Sequence, residues 1–204
     1  DYASLPDGDK GQITSRECYI TGNSPSVFIY PFQTQNVSLS LPSTTLYTQP
    51  KAANNTWSVL AYPDGQLQTA DGRVLESLYY EYNKKVTFTI PQAGYIVQKE
   101  DVKRVVRDIA SALRLTKGEA NQLEREVTNA MHGEDLPEYV KISVANQEEV
   151  ARKLPLSISP QPDTTYRVHL LISPVYFSKV VPAPQLTPLQ RTGFTVVELG
   201  ARVN

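Results

Sequence analysis

The hydrophobic pattern changes period twice along the chain, and those changes divide it. Ser26–Tyr30, Val37–Leu41, Trp57–Tyr62, Val74–Tyr82 and Val86–Ile90 are short apolar or alternating segments. They read as β-strands, because successive strand side chains point to opposite faces. Pro25, Pro31, Pro42 and Pro50 punctuate the first part. Proline cannot donate to a ladder, so the strands there are expected to be short or to lie at sheet edges. Pro63-Asp64-Gly65, Asp71-Gly72 and Asn83-Lys84-Lys85 are turn signals, and residues 57–90 are predicted to form an antiparallel meander.

From Glu100 the period lengthens. Val102, Val105, Val106, Ile109 and Leu113 recur at three- and four-residue spacing, which places them on one helix face. Thr116 and Glu119 have capping-box spacing, and the helix they start carries Ala120, Leu123, Val127 and Met131 on one side. Strand patterns return at Tyr139–Ala145, Thr165–Ile172 and Phe194–Leu199, with a short helix after Asn146 and a stiff proline-rich stretch at Val181–Pro188. The expected fold class is α+β: an antiparallel β-sheet or sandwich with an inserted pair of amphipathic helices. Residues 1–17 are expected to be a flexible or extended N-terminal segment. Residues 18–204 are expected to form a single domain, with the helical insert at about 99–131.

Charge sharpens this division. The 20 basic and 21 acidic side chains nearly cancel, which gives no reason to expect a nucleic-acid partner. The balance is an average over unlike parts. Lys99–Met131 holds seven basic and six acidic residues, whereas Cys18–Pro50 has no Asp, Glu, Lys, Arg or His in 33 residues. That neutral, Ser/Thr/Gln-rich stretch is either ordinary low-charge β surface or a surface for a partner. No apolar run is long enough to predict a transmembrane segment. Tyr supplies 12 and Phe 5 of the aromatic residues, Pro reaches 15, and uncharged polar residues are abundant, a composition that points to an extracellular or cell-surface setting. Cys18 stands alone, so an internal disulfide and a Cys-only zinc site are excluded.

Candidate chemistry is sparse. No HExxH, EF-hand, Walker or GxGxxG motif is present, so no cofactor and no metal is expected. His132 falls at a helix end, and His169 sits in strand alternation where it could face solvent. Cys18 has no charged residue in the stretch that follows it to supply a base. Carboxylates remain: Glu76 and Glu81 would face opposite sides of one strand, whereas Glu81 and Glu198 could meet between strands and act on a glycosidic bond. Trp57, Tyr62, Tyr80 and Tyr82 are the candidate binding residues, with Tyr80 and Tyr82 on one strand face and Tyr79 on the other. Such rings either stack on sugars and anchor a protein partner, or pack against each other across strands.

Trp57-Ser-Val-Leu-Ala-Tyr-Pro-Asp-Gly65, Leu78-Tyr-Tyr-Glu81 and Arg191-Thr-Gly-Phe-Thr-Val-Val-Glu-Leu-Gly200 together resemble a group of uncharacterised microbial proteins, surface-associated, with a Trp-x-Val-x-Ala-x-Pro-Asp-Gly turn and a late Gly-Phe-Thr-Val-Val-Glu-x-Gly strand. The resemblance spans roughly residues 57–200 and implies a shared fold and an exported setting. It carries no activity. The expected function is therefore a non-catalytic surface or extracellular module, structural or adhesive, binding protein or glycan. One alternative is a hydrolase of cell-wall polysaccharide or peptide that uses strand carboxylates. Another is a subunit of a self-assembling surface structure, with Ser26–Tyr30 or Val37–Leu41 as the pairing edge.

Overall fold

The computed structural model describes residues 24–177 and 180–204. The expected N-terminal segment 1–17 and Cys18 lie outside the described residues. The fold is mixed α+β, with two sheets and helices inserted between strands. β1 (Ser26–Tyr30), β2 (Gln35–Ser40), β3 (Thr45–Gln49), β4 (Thr56–Ala61), β5 (Leu67–Gln68), β6 (Val74–Leu75), β7 (Leu78–Tyr82) and β8 (Tyr95–Gln98) come first. A turn of 3₁₀ helix, then α1 (Val102–Ala112) and α2 (Lys117–Met131), follow. β9 (Tyr139–Val144), α3 (Gln147–Lys153), β10 (Ser157–Ser159), β11 (Thr164–Val175) and β12 (Thr195–Val203) complete the order.

The larger sheet has seven strands in the order β3-β7-β1-β12-β11-β9-β8, and the smaller has five in the order β10-β2-β4-β5-β6. Strand alternation assigns the layers. Val197, Leu199 and Ala201 of β12 pack with Val106, Ile109, Leu123 and Val127 of the helix pair. Val196, with Val27 and Ile29 of β1, packs with Val37, Leu39, Trp57 and Val59 of the smaller sheet and with Val150 and Leu154. The molecule is thus three layers deep, with two apolar cores on the two faces of one sheet.

The helix pair forms where its period places it. The Thr116 side chain accepts from the Glu119 N–H while the Glu119 carboxylate accepts from the Thr116 N–H, so both partners of the expected capping box are present. Asn146 caps α3 by accepting from the Glu149 N–H, but the Glu149 carboxylate reaches across to Thr89 instead of back to the cap.

Several expectations need correction. Residues 57–90 do not form one meander. β4, β5 and β6 belong to the smaller sheet, the chain crosses at Glu76–Ser77, and β7 pairs with β1 and β3 in the larger sheet. Val86–Ile90 is not a strand. The Val86 N–H turns back to the Asn83 carbonyl, and side chains take other backbone groups, with Glu149 accepting from Thr89 N, and Lys153 and Arg202 donating to the carbonyls of Thr87 and Val86. Pro25 and Pro31 bracket a central strand, since β1 lies between β7 and β12; they stop its ends and do not mark an edge. β2 is likewise interior, so neither strand proposed for edge pairing has a free edge. Within the mostly antiparallel larger sheet β11 and β12 run parallel, joined by a long connection that packs Leu186 and Leu189 into the helix-side core.

Candidate binding face

The densest chemistry lies between the sheets. Glu198 of β12 is fully buried, and its carboxylate takes a two-pronged contact from Arg167 of β11, Nε to Oε2 at 3.0 Å and Nη2 to Oε1 at 2.9 Å. His169 Nε2 donates to the same Oε1 at 2.5 Å, and the Tyr80 hydroxyl donates to it at 3.3 Å. Burial alone would raise the carboxyl, but the guanidinium and the imidazole hydrogen bond overcome it and hold Glu198 at about 2. Burial and the Glu198 charge push the Tyr80 phenol well above its usual value. Sequence alternation foresaw that Tyr80 and Tyr82 share a face but left open whether His169 faces solvent. It is buried, because the smaller sheet and the 86–90 segment cover that side of β11, and its ring lies 5.9 Å from that of Phe88. The signal for this network was in the sequence: Arg167 and His169 two apart on an apolar strand, with one acid, Glu198, on another.

Glu81 and Glu198 do not meet. Glu198 faces the smaller sheet, whereas Glu81 shares the opposite face with Tyr79, whose hydroxyl donates to it at 2.9 Å. Glu76 is exposed near the crossing between sheets. The carboxylate pair needed for hydrolysis is therefore not assembled from these residues. A third acid, Glu126 of α2, is buried against β1 on the helix side. Ser26 Oγ and Gln122 Nε2 both donate to its Oε1 at 2.6 Å. Ser24 Oγ reaches Oε2 at 3.5 Å. Desolvation outweighs these donors and raises its carboxyl to about 7. Among the described residues no group of three or more His, Cys, Asp or Glu could hold a metal ion. His132 is the exposed C-cap of α2.

Three of the four candidate aromatic residues are core. Trp57, Tyr80 and Tyr82 are each no more than 2 % exposed. Trp57 meets Tyr80 edge-on at 6.4 Å, Tyr80 and Tyr82 are tilted at 6.4 Å, and Tyr82 meets Phe88 edge-on at 6.4 Å. The Trp57 indole N–H donates to the Pro50 carbonyl at 2.6 Å. This is cross-strand aromatic packing, and it removes those three rings from any exposed stacking platform. Only Tyr62 stays part-exposed, at the end of β4, where its hydroxyl donates to Gln68 Oε1 at 3.1 Å.

Tyr62 belongs to the outer face of the smaller sheet. No strand of that sheet contains a charged residue or a histidine: they read QNVSLS, TWSVLA, LQ, VL and SIS. The apolar positions Val37, Leu39, Trp57, Val59, Ala61 and Leu67 point inward, which leaves Asn36, Ser38, Ser40, Thr56, Ser58, Leu60, Gln68, Val74, Ser157 and Ser159 outside. The register aligns them. Ser159 pairs with Ser38 and Ser38 with Ser58; Ser157 pairs with Ser40 and Ser40 with Thr56. Two rows of three hydroxyls thus cross the strands, and Ser40 and Thr56 confirm the facing at 3.0 Å. A shallow concavity of about 420 Å³ follows the first row from Ser159 and Pro160 across Ser38, Ser58 and Leu60 to Gln68, Thr69 and Ala70.

Sequence reading found the neutral stretch but assigned its contacts to strand edges and to the rings. The hydroxyl rows depend on pairing β2 with β4 and with the short β10, which no local pattern announces. No protein-family model, curated protein or solved structure matches the chain.

Proposed function

We propose that the chain is a non-catalytic binding module of the cell surface or extracellular space, and that it holds a neutral glycan on the outer face of the five-stranded sheet. The observation that carries this reading is the pair of cross-strand hydroxyl rows on a sheet with no charged strand residue. Uncharged donors and acceptors at strand spacing suit a ligand that presents many hydroxyls and no charge. A charged partner would find no counter-charge on these strands, and an apolar one would leave the hydroxyls unpaired at a cost of about 1–3 kcal/mol for each one desolvated. The Glu198 network lies buried between the sheets and away from the outer face, which supports a structural use of that cluster.

The test is affinity electrophoresis in gels containing neutral β-glucan, xylan or mannan, or anionic alginate as the contrast. Wild-type protein is expected to be retarded by at least one neutral polymer and to stay retarded at high salt, since no ion pair holds the ligand. Ser38→Lys with Ser58→Lys places two cations in the row and is expected to abolish retardation, with thermal unfolding within a few degrees of wild type. Absence of retardation in every neutral polymer refutes the proposal, as does retardation that the double substitution leaves unchanged.

A further inference from the structure

The concavity has a direction, and we infer from it how a ligand lies. Resting on the glycan reading above, we propose that the groove takes an extended, unbranched neutral oligosaccharide running across the strands, with Gln68 as its oriented donor and Tyr62 as the residue that orients Gln68. The lining runs β10, β2, β4, β5 and therefore crosses four neighbouring strands in sequence. Three interstrand spacings of 4.7–4.9 Å give a groove of ~14 Å between its end strands. Each of these spacings is on the scale of one pyranose unit in an extended chain, so one sugar spans one gap between neighbouring strands. About three units fill the groove between Ser159 and Gln68.

The chemistry differs along it. At the β10 end the contacts are the hydroxyls of Ser159, Ser38 and Ser58, each able to donate and accept. Leu60 supplies the one apolar contact from a strand's outer face, suited to the C–H face of a sugar ring. At the far end Gln68 stands opposite Leu60 in the ladder. Its Oε1 accepts from the Tyr62 hydroxyl, and that bond tethers the carboxamide at this end of the groove. With Oε1 engaged, Nε2 is the donor left for the ligand, whereas without Tyr62 the side chain loses its tether and must be ordered by the ligand itself. Tyr62 does not line the groove, so it acts through Gln68 as a positioning residue.

The experiment uses the 204-residue chain and a length series of unbranched oligosaccharides, from two to six units, cut from the neutral polysaccharide that retards it most, with binding followed by calorimetry. Affinity is expected to rise steeply up to about three units and then level off. Gln68→Ala is expected to weaken the trisaccharide about tenfold. Tyr62→Phe should weaken it severalfold with unchanged thermal unfolding, and combining it with Gln68→Ala should add nothing further. Ser159→Ala is expected to weaken three units but not two. Arg107→Ala, on the helix layer, should change nothing. Polymer retardation that persists while affinity ignores both chain length and Gln68→Ala overturns the cross-strand arrangement and leaves the neutral-glycan reading standing. Tyr62→Phe and Gln68→Ala effects that add independently overturn the positioning role. Failure of every polymer and oligosaccharide to bind overturns both.

Discussion

Glu126 offers a sharp test of the packing on the helix side of the large sheet, because its substitution by glutamine changes charge and almost nothing else. The carboxyl is buried between α2 and β1, and its neighbours are hydroxyl and amide donors from Ser24, Ser26 and Gln122. Tyr79 feels the charges of both Glu81 and Glu126, and Arg125 is the cation that acts on Glu126. Desolvation is the largest influence and raises the folded carboxyl from 4.5 to about 7. The sign follows: below about pH 4.5 both states hold the proton and the stabilisation is complete. As pH rises the unfolded chain releases its proton first, and stability falls until the folded carboxyl also ionises near 7. The interval is worth roughly 3 kcal/mol at about 1.4 kcal/mol per pH unit. Glu126→Gln keeps an acceptor for Ser26 and Gln122 and cannot ionise. Urea unfolding of both proteins between pH 4.5 and 8.5 is the assay. The variant is expected to gain about 3 kcal/mol on the wild type from the acid to the alkaline end of that range. Other titrating groups cancel in the difference. A difference that stays flat, or that slopes the other way, would show that the native carboxylate is ionised and paired, and the desolvation argument would fail.

Glu198 is the opposite case: Glu198→Gln leaves Arg167 buried without its counter-charge and is expected to cost about 3–5 kcal/mol near neutral pH. Because its folded carboxyl is lowered to about 2, that cost should shrink as pH falls from about 4.5 toward 2, which acid-range thermal melts would reveal. Thr116→Ala removes the hydroxyl half of the α2 capping box and is expected to destabilise by about 1 kcal/mol in denaturant titration. Trp57→Ala should cost about 3–5 kcal/mol through an internal cavity. Tyr82→Phe, by contrast, should leave glycan retardation intact, since its ring is core; loss of retardation in a folded Tyr82→Phe protein would return that residue to the binding site.

What could be read from local pattern was whatever depends on a single element. The helix pair was legible because Val102, Val105, Val106 and Ile109 are spaced for one face, and because the Thr116–Glu119 box needs only its own turn. The facing of Tyr80 followed from strand period alone. β3, β8 and β10 were missed because they are short and lack alternation strong enough to stand out; their existence depends on neighbours that supply the ladder. The 86–90 segment failed in the other direction. Val86-Thr87-Phe88-Thr89-Ile90 alternates like a strand, yet Lys153, Glu149 and Arg202 take its backbone groups and Phe88 drops into the core beside His169. For three of the four candidate aromatic residues the choice between exposed stacking and cross-strand packing stayed open for a related reason: alternation tells which rings share a face, but only the second sheet decides whether that face is covered.

The same second sheet explains where charge is found and where it is missing. Within the core the buried charges have partners: Arg167 and Glu198 of the central sheet pair with each other, and Glu126 of α2 meets hydroxyl and amide donors. The outer face of the smaller sheet has neither constraint. It is accessible, and Lys or Glu there would serve solubility and guard against strand pairing at no cost to the core. Serine and threonine in register give up that protection across β10, β2 and β4 while the adjoining turn still carries Asp71 and Arg73 as an exposed ion pair. Neutrality is thus confined to the sheet face and stops at its turn. That boundary coincides with the groove, whose lining ends at Thr69 and Ala70, one residue short of Asp71. The neutral face includes the groove and the second row of Ser157, Ser40 and Thr56 beside it, which suits the neutral, hydroxyl-bearing ligand proposed above.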